Sequence, residues 1–175
     1  RVAADSPYIA TPLLAQFQRL YPGIQISIQY GNSQQLMSWI ESRRCDVAFL
    51  PNIPQGDDKL FSIPLMPDRL VVFVSQDHEW AERRSLPIKE LLTQRVILRE
   101  KGSRTRSIFE EAISEAGLQL ENVMEISGRE GVREAVAAGF GVGEERDDAG
   151  HQAGGEKDAM LCAFDLRQAL AQRFV

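Results

Sequence analysis

The chain has 175 residues, of which 43% are hydrophobic and 26% charged, and its net charge is −5. This composition is typical of a globular protein with enough apolar residues for one or two cores. No apolar run approaches the roughly 20 residues that cross a bilayer, and no signal segment opens the chain. The basic residues are scattered, so we expect no DNA-binding surface on this chain itself.

Strands and helices alternate through the first fifty residues. Residues 1–4 are predicted to end a strand, and Ser6 is predicted to cap a helix whose first turn contains a proline. Isoleucines alternate with polar residues over 24–28, which predicts a second strand. A turn at 31–33 leads into a second helix, and residues 46–50 form a short apolar strand. This order predicts a parallel sheet with helices on its faces.

A second αβ set follows the apolar run at 70–74, which has the pattern of a strand buried on both faces. We place a first crossover in the polar stretch after this run. Residues 144–158 are charged and glycine-rich, which predicts a poorly ordered or displaced return loop. The predicted organisation is a lobe I of residues 1–75 plus 159–175 and a lobe II of residues 76–143.

The cysteines and histidines indicate neither a disulfide framework nor a metal site. Cys45 and Cys162 are expected to be reduced and partly buried in a cytosolic protein. His78 and His151 have no Cys, His or Asp partner at the spacing of metal ligands. We therefore expect no metal, no cofactor and a cytoplasmic location.

Several segments, in order over residues 1–143, resemble the effector-binding domain of LysR-type transcriptional regulators. They are SPYIATPLL at 6–14, GNS at 31–33, CDVAF at 45–49, LVVFV at 70–74, LREKGSRTR at 98–106 and GVREAVAAGFGVG at 131–143. The context of residues 103–106 is similar to regulators linked to aminoethylphosphonate catabolism. After Gly143 the chain departs from the family pattern, because charged residues stand where the family continues with an apolar strand.

The resemblance implies an α/β fold of two Rossmann-like lobes joined by two crossover strands, which is the type 2 periplasmic-binding-protein-like fold. It also implies a winged helix-turn-helix upstream of this sequence, through which DNA would be bound. The expected assembly is a homodimer or homotetramer without membrane contact, and the expected function is ligand sensing without catalysis.

The candidate ligand site combines hydroxyl groups, helix starts and arginines. Unpaired backbone N–H groups at helix starts bind anions, and serine hydroxyls donate as well. We therefore expect an anionic or zwitterionic effector, such as a phosphonate, sulfate or carboxylate. The candidates are Ser6, Tyr8, Asn32 and Ser33 in lobe I, with Gly102, Ser103, Arg104, Thr105, Arg106 and Arg129 in lobe II.

Six of the candidates have an alternative interpretation, in which the residue stabilises the fold and does not bind a ligand. Ser6 and Ser33 are alternatively helix N-caps, Tyr8 a core residue, and Arg129 the partner of a nearby glutamate. Arg104 and Arg106 are alternatively a solvated helix start. At the level of the whole protein, two alternatives stay open: a periplasmic solute-binding protein of a transport system, and an enzyme on the same scaffold.

Overall fold

The structure, a computed structural model, describes residues 1–51, 59–65, 69–83, 85–147 and 164–165. The chain divides into two compact units. Unit 1 contains Arg1–Leu65 together with Gly102–Arg104, and unit 2 contains Met66–Lys101 together with Thr105–Val175. Both units combine helices with a sheet, so the α/β class predicted from the sequence is confirmed.

Unit 1 has the predicted strand–helix alternation. Its elements are β1 (Val2–Ala4), α1 (Pro7–Leu20), β2 (Ile28–Tyr30), α2 (Ser33–Glu41) and β3 (Val47–Phe49). The strands form a parallel sheet in the order β2-β1-β3. A small core of Ala3, Leu36 and Cys45 joins α2 to this sheet. The predicted burial of Cys45 is confirmed, whereas Cys162 lies outside the described residues.

Unit 2 contains a mixed five-stranded sheet. Its elements are β4 (Arg69–Phe73), a 3₁₀ helix (Ile88–Thr93), β5 (Val96–Arg99), α3 (Arg104–Glu115), β6 (Val123–Ile126), α4 (Arg129–Ala137), β7 (Val142–Asp147) and β8 (Phe164–Asp165). The strand order is β6-β5-β7-β4-β8. Strand β5 is parallel to β6 and β7, whereas β4 is antiparallel to β7 and β8.

The two faces of this sheet carry separate apolar clusters. Successive side chains of a strand point to opposite faces, and β4 follows this rule. Val72 belongs to a cluster with Phe109 of α3, and Phe73 belongs to a second cluster with Val136 of α4. Helices α3 and α4 therefore pack on the two clusters of a doubly covered sheet.

The structure corrects the prediction of a loop at 144–147. These residues form the last four residues of β7 and pair with β4, where Glu144 is opposite Val72. The charged residues are accommodated here because the Glu144 side chain accepts the Arg99 N–H and the Glu145 side chain pairs with Arg129 and Arg133. Residues 148–158, the rest of the predicted loop, lie outside the described residues.

The division into units also differs from the predicted lobe boundaries. Residues 69–73 were expected in lobe I, yet β4 pairs with β7 and β8 in unit 2. Of the segment 159–175, only Phe164–Asp165 is described, and it pairs with β4 as well. The pairing of β4 with β7 and β8 places residues 69–73 in unit 2, and the local sequence pattern does not encode which strands pair.

Candidate functional site

The loops after β1 and β2 meet at one edge of the unit 1 sheet. Ala4 and Tyr30 are neighbours at the carboxyl ends of their strands, and the Gly31 N–H donates to the Ala4 carbonyl at 3.1 Å. Because the order is β2-β1-β3, the connection from β1 leads to one side of the sheet, and the connection from β2 leads back past β1 to the other side. This is the kind of edge at which open α/β sheets bind ligands. Both α1 and α2 begin here.

Ser6 is the N-cap of α1, so its alternative interpretation as a helix cap is confirmed. Its side chain accepts the Tyr8 N–H at 3.3 Å, and the residue is only 3% exposed. Tyr8, two residues further on, is half-buried. Capping uses a lone pair of the serine oxygen, so the hydroxyl proton is available for another acceptor.

Asn32, and not Ser33, caps α2. The Asn32 side-chain oxygen accepts a hydrogen bond from the Gln35 N–H at 3.0 Å. In the opposite direction, the Asn32 N–H donates to the Gln35 side-chain oxygen at 2.9 Å. This reciprocal pair is a capping box. The N-cap interpretation of Ser33 is therefore wrong, because Ser33 is already the first helical residue.

The turn Gly102–Arg104 lies against the start of α2, within unit 1. The Gln34 N–H donates to the Gly102 carbonyl at 3.2 Å, and the Arg104 N–H donates to Ser33 Oγ at 3.4 Å. Ser103, between them, is only 4% exposed. The fold thus places five predicted site residues together across some seventy positions of sequence: Asn32, Ser33, Gly102, Ser103 and Arg104.

Gly102 is required by the backbone conformation of its turn. Its φ is +91°, a left-handed region that residues with a Cβ avoid. A Cβ there would also lie 2.7 Å from the Gln34 side-chain oxygen, a contact that the flexible Gln34 side chain can relieve by moving. The left-handed φ is therefore the stronger reason for a glycine at this position.

Arg106 is engaged by groups of unit 2. Its guanidinium donates to Glu110 at 2.8 Å and to the Arg99 carbonyl at 2.9 Å, and it also contacts Glu125. These contacts tie α3 to β5 and β6. They account for the position of Arg106 without a ligand.

Arg129 is paired with a glutamate, which confirms the alternative interpretation of this residue given above. It contacts Glu145 of β7 and donates to the Arg146 carbonyl at 2.7 Å. Arg133, one turn further along α4, also donates to Glu145 at 2.6 Å. Glu145 is 3% exposed, so two arginines neutralise one buried carboxylate.

A small cavity opens inside unit 2 where β5 and β7 separate. The two strands pair only at Val96–Val142 and Ile97–Gly143. The space open to the centre of a water molecule is about 10 Å³, which is room for about one water. Its lining includes two predicted site residues, and the full set is Phe73, Arg99, Thr105, Arg129, Val132, Glu144, Glu145 and Arg146.

Glu144 fills part of the gap between these strands. Its Oε1 accepts the backbone N–H of Arg99 at 3.1 Å. Burial raises the pKa of Glu144 to about 8, although the Arg99 N–H and the charge of Arg99 both lower it. For Glu100, burial raises the pKa, but bonds from the Arg99 side chain and the Gly128 N–H outweigh it and lower the value to about 2. One of these two glutamates is therefore neutral near pH 7 and the other charged.

Sequence reasoning missed Glu144 and Glu145 because it assigned them to a loop. One signal was available. Arg129 and Arg133 are four residues apart on one face of α4, next to the face that carries Val132 and Val136. Two arginines beside a buried face indicate a carboxylate partner, which Glu145 supplies.

Among the described residues, no three Cys, His, Asp or Glu side chains come together as a metal site would require. His78 accepts the Trp80 N–H on its Nδ1 at 3.1 Å, and His151 lies outside the described residues. Within the described part of the chain, no helix is both long and apolar enough to span a bilayer.

The sheet orders, the helix starts at the strand ends and the comparison with solved structures together define the class of protein. It is an α/β effector-binding domain with the type 2 periplasmic-binding-protein-like fold. Residues 1–150 match the family model described as LysR substrate binding domain, and the chain belongs to this family. The predicted resemblance to the LysR family is confirmed, whereas the finer resemblance to regulators linked to aminoethylphosphonate catabolism stays a prediction.

Relatives and structures agree with this assignment. The chain is 35% identical over 135 residues to the HTH-type transcriptional activator CmpR of Synechocystis sp., covering 77% of this chain and 44% of CmpR. It is 31% identical over 135 residues to the HTH-type transcriptional regulator CysL of Bacillus subtilis, covering 77% and 45%. The regulatory domain of Synechocystis PCC6803 CcmR, solved in complex with 2-PG, is similar with a TM-score of 0.80 and 25% identity, covering 92% of this chain and 77% of that one. The chain thus spans less than half the length of these curated relatives.

Proposed function

We propose that this chain is the ligand-sensing domain of a LysR-type DNA-binding transcriptional regulator. The observation that carries the proposal is the family match over residues 1–150. The curated relatives are transcriptional regulators, which favours this function over a periplasmic solute-binding protein. DNA would be bound by a helix-turn-helix outside this sequence, in the cytoplasm, by a homodimer or homotetramer.

The proposed effector is a small anion or zwitterion. The supporting geometry is the cluster at the start of α2, where Asn32 and Ser33 lie beside the turn Gly102–Arg104. Helix starts, hydroxyl groups and an arginine favour negative charge. A similar domain, that of CcmR, was solved with the small molecule 2-PG. The resemblance to regulators of aminoethylphosphonate catabolism makes 2-aminoethylphosphonate the first zwitterion to test.

The proposed mechanism is a population shift without catalysis. An effector that binds one conformation more tightly raises the population of that conformation. The shift is limited by the ratio of the two affinities. The regulatory output then follows from how the subunits and their DNA-binding regions respond to this conformation.

Thermal unfolding of the chain with a panel of small molecules tests the proposal. All compounds are used at the same low millimolar concentration, where general solvent effects on stability are small. We expect stabilisation by members of an anionic or zwitterionic set, comprising sulfate, methylphosphonate, 2-aminoethylphosphonate and acetate, and none by the neutral compounds ethylene glycol and acetamide. The Ser33→Ala variant should lose much of the shift, whereas Ser38→Ala, an exposed position on the same helix, should keep it. Stabilisation by the neutral compounds alone would contradict the proposed effector class.

A further inference from the structure

Glu144 is buried in unit 2, and only one of its two carboxyl oxygens has a partner. The residue is 2% exposed, and its Oε1 accepts the Arg99 N–H at 3.1 Å. Its Oε2 makes no hydrogen bond with any residue that the structure describes. Buried polar atoms of folded proteins nearly always have a partner, which is either another protein group or an ordered water molecule. The Oε2 atom therefore indicates a small polar occupant.

The carboxyl group lies where two parallel strands separate. Strands β5 and β7 pair only at Val96–Val142 and Ile97–Gly143. From there β7 continues along β4 as far as Asp147. The Arg99 N–H of β5 is consequently bonded by a side chain, not by a carbonyl of β7. The separation of the strands leaves a space between them that backbone hydrogen bonds do not fill.

The cavity at this separation has the size of one water molecule. The space open to the centre of a water molecule is about 10 Å³, which is room for about one water. A buried water makes about three hydrogen bonds, and the lining offers several polar groups for them. Glu144 lines the cavity together with five other polar residues, which are Arg99, Thr105, Arg129, Glu145 and Arg146.

The ion pairs around the cavity favour a neutral occupant. Arg99 is paired with Glu100, and Glu145 is paired with Arg129 and Arg133. These pairs balance positive and negative side chains within unit 2. The lining therefore requires neither a bound cation nor a bound anion.

A water molecule also fits both protonation states of Glu144. An ionised carboxyl oxygen accepts a hydrogen bond, whereas a protonated one donates. Burial raises the pKa of Glu144, and the charge of Arg99 lowers it. Because water both donates and accepts, it can satisfy Oε2 whether or not the proton is present. An ion of fixed sign would suit only one of the two states.

We propose that the cavity of unit 2 is a binding site for one water molecule, which hydrogen-bonds to Glu144 Oε2. The carboxyl group and this water together replace the backbone pairing that β5 and β7 lose after Ile97 and Gly143. The water is then a fixed part of the sheet, because its exchange with solvent requires a local opening of unit 2. The site is independent of the proposed effector, since all its lining residues belong to unit 2.

Crystal structures at a resolution that shows ordered waters test the proposal. The unsubstituted chain should show a single density peak about 2.5–3.0 Å from Glu144 Oε2, the distance of an O–H···O hydrogen bond. Glu144→Gln keeps an acceptor and a donor, so it should keep the peak. Glu144→Met has a similar length and no strong donor or acceptor, so the peak should be missing. Glu121→Gln, an exposed control, should match the unsubstituted chain.

Oxygen-17 magnetic relaxation dispersion measures the same water in solution, because it counts water molecules that stay bound for long times. The Glu144→Met variant should contain one long-lived water fewer than the unsubstituted chain. The Glu144→Gln and Glu121→Gln variants should contain the same number as the unsubstituted chain. If Glu144→Met does not fold, the crystal structures of the unsubstituted chain and Glu144→Gln still decide the question.

Three results would overturn the inference. The first is a direct hydrogen bond from a protein group to Glu144 Oε2 with no water peak beside it. The second is a peak with the anomalous scattering of chloride, which would identify an ion. The third is an equal count of long-lived waters in the unsubstituted chain and a folded Glu144→Met variant. Each of these results would leave the proposed function intact.

Discussion

The backbone N–H of Arg99 donates to the side chain of Glu144 at 3.1 Å, at the place where β5 and β7 cease to pair. A carboxyl group therefore satisfies a strand-end donor that no backbone carbonyl reaches. Glu144 also lines the small cavity of unit 2, and its second oxygen has no hydrogen-bond partner among the described residues. The end of a strand pairing and a buried carboxyl group thus meet at one residue.

Glu144 should make stability depend on pH. Its pKa is about 8 in the folded chain and 4.5 as the ordinary value, so the folded state retains a proton that the unfolded state releases. The stability that this proton provides is fully present below about pH 4.5 and is lost as pH rises to about 8, at up to ~1.4 kcal/mol per pH unit. Urea unfolding of Glu144→Gln at pH 5, 6.5 and 8 should show a stability advantage over the unsubstituted chain that grows with pH. Parallel pH profiles for the two proteins would argue against this.

The capping box of α2 predicts that substitutions at two neighbouring residues differ in their effect on stability. Asn32→Ala should lower the free energy of unfolding by about 1 kcal/mol, because the Gln35 N–H loses its acceptor. Ser33→Ala should change it much less, since Ser33 is not the cap. Chemical denaturation of both variants checks this difference. An equal loss in both would mean that Ser33 shares the capping role.

Removing the carboxylate between two arginines should be costly. Glu145→Ala leaves Arg129 and Arg133 without their shared acceptor, and breaking such a buried pair costs about 3–5 kcal/mol. Glu130→Ala, an exposed position in the first turn of α4, is the matched control and should have a small effect. Thermal unfolding measures both. A melting temperature for Glu145→Ala close to that of the control would contradict the role assigned to Glu145.

The turn at Gly102 should not tolerate a side chain. Gly102→Ala forces a Cβ into a left-handed backbone conformation, which costs about 1–2 kcal/mol, and towards Gln34. We expect lower stability and weaker anion binding, because the turn would move from the start of α2. Gly23→Ala, with nothing within 4 Å of its added Cβ, is the control. Unchanged anion affinity in Gly102→Ala would separate this turn from the site.

The two arginines of α3 should differ in their effects. Arg104→Ala should weaken anion binding, because Arg104 belongs to the cluster at the start of α2. Arg106→Ala should mainly destabilise the chain, because Glu110 and Glu125 lose their partner. Isothermal titration and urea unfolding, run on both variants, distinguish the two roles. The reverse assignment would follow if Arg106→Ala abolished binding while the fold stayed as stable.

Local chemistry was sufficient for much of the first unit. Ser6 before Pro7 marks the start of α1, and the alternation of strands and helices indicates a parallel sheet with its loops at one edge. These features depend on residues near one another in sequence. The segments that resemble the LysR family lie in this part of the chain, at 70–74 and in residues 98–143, and the match to the family model confirms the resemblance.

The tertiary structure alone decided where Glu144 and Glu145 belong. Their local sequence is charged and predicts an exposed loop. Burial of a carboxyl group is costly unless it is paired, and no residue nearby in the sequence offers such a partner. The compensation comes from distant partners: Arg129 and Arg133 on α4, and the N–H of Arg99 on β5. The contacts of Arg106 could not be predicted from the sequence for the same reason. Its guanidinium donates to Glu110, Glu125 and the Arg99 carbonyl, which the fold brings to it. Short-range patterns determine caps and strand alternation, whereas the fate of a buried charge depends on which partners the whole fold provides.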